Sequence, residues 1–200
     1  MSSGPGSREK ILFCARDLFY FAGYQSTSVD DILRVCGVAK SNFYYHFRTK
    51  DDLALAVLDL HIAEFERGAI VALTNTGIDP AERLEQFCKA LVEAQLELQQ
   101  LGGCPFGNFA AALSIREDDG RTERFREVLC KVFQQLQVNL AACLSDGVGT
   151  GVFRNDIPVD ELAATVLAAI EGSMLLTRTH RSAAPLTRCL PVLQLLLRVD

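Results

Sequence analysis

The chain has 200 residues, of which 49% are hydrophobic, and a net charge of −5. That length fits one long domain or two small ones, with enough buried apolar surface to need no disulfide or metal staple. No run of 18 or more apolar residues marks a membrane span. The seven cysteines form no C-x-x-C pair and are odd in number, so reduced thiols in a soluble, cytoplasmic protein are expected rather than a disulfide framework.

The opening "MSSGPGS" lacks the basic-then-apolar layout of an export signal and reads as a disordered leader. Beyond it, apolar residues recur at intervals of three and four and strand-like alternation is scarce, which predicts an all-α chain of about nine helices. A first helix over 7–21 carries Ile11, Leu12, Ala15, Leu18 and Phe19 on one face, and Gly23 suits the left-handed residue that ends it. Thr27 or Ser28 can cap the second helix, since each has an aspartate three residues on. That helix aligns Val29, Ile32, Leu33 and Cys36 and stops after two turns at Gly37. A short third helix covers 40–47, and Thr49 with Asp51 and Asp52 starts a long fourth one through Leu53, Val57, Leu60 and Phe65 to about residue 73.

"NTGIDP" interrupts, with Asp79 as cap and Pro80 at the first position of a helix that is predicted to bury Leu84, Phe87, Leu91 and Leu98. A short helix over 105–113 follows. "REDDGRTER", 116–124, mixes charges as a solvated connection does. A long helix over 121–144 presents Phe125, Val128, Leu129, Val132, Phe133, Leu136 and Leu140, and the glycine-rich "DGVGTGVFRNDIP" after it is expected to be a loop. Its "GVGTG" lacks the preceding strand that a phosphate loop needs. The last two helices, 159–179 and 185–199, are so apolar that a second subunit is expected to cover them. Leu190, Val192, Leu193, Leu195, Leu196 and Leu197 leave little polar face, and Ala168, Ala169, Gly172 and Ser173 permit close approach.

One stretch raises the question of function. "GVAKSNFYYHF", 37–47, crowds aromatic residues beside a lysine. Two short helices joined by a tight turn and preceded by a supporting helix form the helix-turn-helix pattern, whose second helix enters the DNA major groove. Val38, Phe43 and Phe47 can face inward, leaving Lys40, Ser41, Asn42, Tyr44 and Tyr45 to reach base edges or phosphates and Lys50 to meet a phosphate. The plainer alternative is a helical corner whose tyrosines half-bury on a neighbour. Charge favours DNA only locally: residues 1–60 hold seven Lys/Arg and seven Asp/Glu, but Arg34, Lys40, Arg48 and Lys50 stand within 32–50 with no acid among them.

The span "GYQSTSVDDILRVCGVAKSNFYYHFRTKDDL", 23–53, resembles the N-terminal DNA-binding domain of the TetR family of repressors. The matching positions are Gly23, Tyr24, Thr27, Ser28, Val29, Ile32, Gly37, Val38, Phe43, Tyr44, His46, Phe47, Lys50 and Leu53. Cys36 stands where the family usually has alanine and Ser41 where glycine or proline is common; both are small enough for the turn. The resemblance implies a three-helix DNA-binding domain over 1–50 and a helical ligand-binding and dimerisation domain over 51–200. It further implies a homodimer joined through the last two helices, a near-palindromic double-stranded operator and a small-molecule effector. No enzymatic activity, cofactor, metal or membrane partner is implied. The expected DNA-contacting set is Thr27, Ser28, Lys40, Ser41, Asn42, Tyr44, Tyr45, His46 and Lys50.

Helical domains of this family often enclose apolar or aromatic ligands, which makes Phe87, Leu91, Phe106, Phe109, Phe125, Leu129, Phe133 and Met174 effector-pocket candidates; for any one of them ordinary core packing is the first reading. "GGCPFGN", 102–108, adds Cys104, which would sit at a helix N-terminus where the dipole favours thiolate. Its Gly-Cys-x-x-Gly-Asn turn resembles one in TetR-like regulators that include thiol-based sensors, against the simpler reading of a cysteine chosen for size. His46, His61 and His180 make no metal-ligand spacing. Two other functions compete: a thiol redox enzyme centred on Cys104, and a helical adaptor that does not bind DNA.

Overall fold

The computed structural model describes residues 6–97, 101–113 and 120–198, with the side chain of Arg121 left aside. Residues 1–5 of the expected leader, Leu98, Val199 and 116–119 of the expected solvated connection lie outside the described residues. The elements are α1 (Ser7–Phe21), α2 (Val29–Cys36), α3 (Lys40–His46), α4 (Lys50–Phe65), a π-helical stretch (Glu66–Ile70), α5 (Val71–Thr74), α6 (Pro80–Leu96), α7 (Pro105–Ala112), α8 (Gly120–Gly149), α9 (Val159–His180) and α10 (Ala184–Leu197). With the unbroken run from α4 through α5 taken as one, the described residues hold nine helices, the number the periodicity predicts. Extended pairing among them is limited to an isolated antiparallel bridge between Phe153 and Arg198.

The chain forms two compact units, one from Met1–Ala63 and Asn108–Val128, the other from Glu64–Gly107 and Leu129–Asp200. In the first, α1 packs on α2 and α3, and the buried side chains are Ile11, Ala15 and Phe19 of α1, Ile32 and Leu33 of α2, Phe43 of α3 and Leu53, Ala54, Val57 and Leu58 of α4. Local chemistry sets the boundaries of α2. Ser28, not Thr27, is its cap: the Asp31 N–H donates to the Ser28 hydroxyl at 3.1 Å, and the Ser28 N–H donates back to the Asp31 carboxylate at 3.0 Å. Gly37 ends the helix at φ 66°, a left-handed conformation natural to glycine. Thr49 caps α4 by accepting from the Asp52 N–H at 3.0 Å.

An aromatic group closes the other side of this unit. Tyr24 packs edge-on against Phe19 at 5.5 Å, and Phe109 and Phe125 stack at 6.4 Å with both rings against Tyr24. The residues supplied by α7 and α8 thus complete a core begun by α1.

In the second unit, Leu73, Leu84, Phe87, Leu140, Leu144, Ala163 and Leu186 form an apolar centre drawn from α5, α6, α8, α9 and α10. Arg83 is buried beside it with its charge answered, the Nε donating to the Leu73 carbonyl at 2.8 Å and a terminal nitrogen pairing with Asp146 at 2.5 Å. α8 continues through Gly147 to Gly149, so the first four residues of the expected loop are helical. The reason is a close approach: the Phe153 ring folds back onto Gly147, where a Cβ would meet ring carbon Cδ2 at 2.0 Å. The glycine there admits a ring rather than breaking a helix. α9 and α10 pack on one another, and among the described residues no helix is long and apolar enough to cross a membrane.

Candidate functional site

The aromatic crowd at 37–47 divides as its spacing demands. Phe43 is fully buried and Phe47 nearly so, four residues apart with ring centroids at 5.9 Å, while Tyr44 is 55% and Tyr45 84% exposed. Burying a phenylalanine is worth about 2–3 kcal/mol, so this inward pair fixes which way α3 faces. Lys40, Ser41 and Asn42 form its exposed first turn, with no side chain capping it. Seven residues of helix therefore present a polar and tyrosine-bearing outer face on a phenylalanine base. Arg48, just beyond α3, is exposed too.

Four of the expected contact residues have internal work. Thr27 is buried and its hydroxyl donates to the Gly23 carbonyl at 2.8 Å, holding the turn before α2. Ser28 is exposed but serves as the α2 cap. His46 shares a hydrogen bond of 2.9 Å with the Ser7 hydroxyl, tying the end of α3 to the start of α1. Lys50 is half-buried: its ammonium donates to the carbonyls of Tyr24 at 2.9 Å and Thr27 at 3.1 Å and lies 4.2 Å from the centre of the Tyr24 ring. Burial pulls its pKa below the usual lysine range. The Tyr24 hydroxyl donates to Asp51 beside it.

Two ion pairs lie here, one bridging α2 and α3 and one three residues apart within α2. Lys40 at the start of α3 reaches Asp30 on α2 at 2.9 Å, which raises the lysine's pKa through the hydrogen bond and then the charge. Arg34 pairs with Asp31, whose carboxyl is held below its usual range first by the Ser28 bonds. Both pairs are exposed.

The effector candidates distribute unevenly. Phe87, Leu91, Phe106, Leu129 and Met174 are buried in the second unit with Phe133 and Cys104 partly buried there, whereas Phe109 and Phe125 belong to the first unit, around Tyr24. The Cys104 turn is rigidly held. The Gln95 side chain donates to the Gly103 carbonyl and accepts from its N–H, both at 3.1 Å, and Gly103 adopts φ 76° against the Met174 carbonyl, where a Cβ would stand 2.9 Å away. The Gly107 N–H donates to the Cys104 sulfur at 3.3 Å. The thiolate expected from the helix terminus is not favoured: burial, and next the Glu171 carboxyl, push the Cys104 thiol well above its usual range, outweighing the backbone N–H groups that pull it down. Glu171 is itself raised by burial. A cleft of about 660 Å³ in the same unit, lined by Thr76, Asp79, Arg83, Asp146 and Thr150 among others, involves none of these candidates.

Comparison with known proteins agrees with this geometry. Residues 11–57 match the family described as bacterial regulatory proteins, tetR family, and residues 80–193 match the Tetracyclin repressor-like C-terminal domain. The chain is 30% identical over 185 residues to the HTH-type transcriptional repressor DhaR of Mycobacterium sp. (strain GP1), covering 92% of this chain and 89% of that protein. It is 31% identical over 195 residues to the HTH-type transcriptional regulator LmrA of Bacillus subtilis (strain 168), covering 96% and 97%. In fold it resembles the crystal structure of regulatory protein TetR from Rhodobacter sphaeroides, with a TM-score of 0.85, 24% identity, and 96% and 98% of the two chains covered. These matches show that the chain belongs to the TetR family, as a ligand-responsive, DNA-binding transcriptional regulator and not an enzyme.

Proposed function

We propose that this regulator is a homodimeric repressor whose α3 reads a near-palindromic operator through Lys40, Ser41, Asn42, Tyr44 and Tyr45. One observation carries the reading: Tyr45 and Tyr44 stand exposed on a helix whose Phe43 is completely buried. An exposed tyrosine of this kind offers a hydroxyl to a phosphate or base edge and a ring to pack against the groove. Thr27, Ser28 and Lys50 hold the turn into α2, and His46 ties the end of α3 to α1. Two copies of α3 placed about 34–36 Å apart by a two-fold axis would meet successive major grooves.

The dimer surface we assign to α9 and α10. Their solvent faces carry Leu175, Leu176, Val192, Leu195 and Leu196, all exposed, a patch of the kind that a partner subunit covers. On α9 this face also holds Ala168 and Gly172, and the space beyond Gly172 is open, which suits close helix packing.

The effector we place in the second unit, among Phe87, Leu91, Cys104, Phe106, Leu129, Phe133 and Met174. α4 runs without a break from Lys50, at the base of the recognition helix, to residues of that unit. A ligand that binds better to one setting of α4 shifts the population by that difference in affinity. Selection of duplexes from a random-sequence pool tests the reading: wild-type protein should enrich an inverted repeat, and N42A and Y45A should lose most of its binding while keeping their fold. Failure to enrich any sequence would overturn it.

A further inference from the structure

Three of the four cations at 32–50 are engaged within the fold, and Arg48 is exposed. Arg34 is paired with Asp31, Lys50 is turned onto backbone carbonyls, and Lys40, at the tip of α3, is held by Asp30 at 2.9 Å. Asp30 is the second residue of α2 and Lys40 the first of α3, so the pair bridges the two helices of the motif across its outer surface, with both side chains mainly exposed. A lysine in this position would otherwise act as a mobile point charge that attaches to any phosphate within reach of its stem.

We propose that Asp30 is a specificity-determining residue: it neutralises Lys40 toward phosphates while leaving the remaining N–H groups of the ammonium to donate to base edges. The inference rests on the reading of α3 as the recognition helix. An ammonium has three N–H donors, and the bond to Asp30 uses one of them. Charge neutralisation suppresses the sequence-independent part of DNA binding, which is almost wholly electrostatic. Directed donors preserve the sequence-dependent part, and in the major groove guanine offers two neighbouring acceptors, N7 and O6, to such a group. The carboxylate also restricts where the ammonium can go, so Lys40 points along a fixed direction from the helix tip. Asp30 thus trades affinity for discrimination, and the partner chemistry it selects is a guanine edge in each half-site.

The test compares full-length wild type, D30N, D30E, K40A, N42A and D59N, the last removing an exposed acid from α4 as a control for net charge. Two probes are used, the duplex that wild type selects from a random pool and a mixed-sequence duplex of equal length, each titrated across a salt series. D30N should bind the mixed duplex about fivefold tighter, the upper range for release of an exposed ion pair. Its log K against log salt slope should steepen by up to about 0.9 per protomer, one further phosphate contact. Affinity for the selected duplex should change less, so the ratio between probes falls, and D30E should restore it. If D30N leaves ratio and slope unchanged while K40A weakens the selected duplex, Asp30 has no such role and the recognition helix stands. If D59N tightens the mixed duplex as much as D30N, the effect is one of net charge and the proposal fails. If K40A and N42A both bind the selected duplex as wild type does, α3 is not the reader and both readings fall.

Discussion

Lys50 shows how a side chain that suits DNA by type can be committed elsewhere by position. Its two hydrogen bonds to the carbonyls of Tyr24 and Thr27 hold the turn between α1 and α2. K50M should therefore cost about 1–2 kcal/mol in urea unfolding followed by helical circular dichroism, with little change in the salt slope of DNA binding. Glu171 makes a second prediction, in pH. Its folded pKa is raised by burial, so the folded state holds this proton more tightly than the unfolded one. The stability it contributes is complete below the ordinary value of 4.5 and is lost as pH rises through the folded pKa. E171Q should accordingly flatten the decline in stability above pH 4.5, and an unchanged pH profile would contradict the burial of this carboxyl. Cys104 beside it should stay a thiol at neutral pH, so limited iodoacetamide should label the exposed Cys130 first, as mass spectrometry of the peptides would show.

At the scale of elements, α3 separates stability from recognition within adjacent residues. F43A should destabilise the protein by about 3–5 kcal/mol, whereas Y45A should leave thermal unfolding nearly unchanged and weaken operator binding. S28A should cost about 1 kcal/mol by removing the α2 cap. Much of this was legible in the sequence, because a helix with one buried face must repeat its apolar residues, and Phe43 and Phe47 do so at i and i+4. The cap was legible only as a choice of two: Thr27 and Ser28 each precede an aspartate by three, and the decision came from Gly23, whose carbonyl takes the Thr27 hydroxyl. The Asp30–Lys40 pair was not legible at all. Ten residues and a turn separate its members, and only the packing of α2 on α3 brings them together. The end of α8 was misleading for a related reason, since Gly147 announces a loop until Phe153 is seen lying on its backbone.

For the whole molecule, the proposed dimer through the exposed leucines of α9 and α10 predicts that stability and DNA binding depend on protein concentration. L195E, at a position 70% exposed in the isolated chain, should shift sedimentation toward monomer and abolish binding to an inverted repeat, while the monomer keeps its helical content. The apolar excess of the last helices was visible in the sequence; the membership of Phe109 and Phe125 was not, because helical spacing says that a ring is buried without saying in which core.

That membership bears on how the reading head can be moved between relatives. Because 108–128 belong to the same compact body as the first 63 residues, a cut at residue 50 or 63 yields a graft without the two rings that shield Tyr24. Chimaeras made at such a junction would begin life with a wet, loosened turn above Lys50. Transplants that carry both segments would keep the head whole.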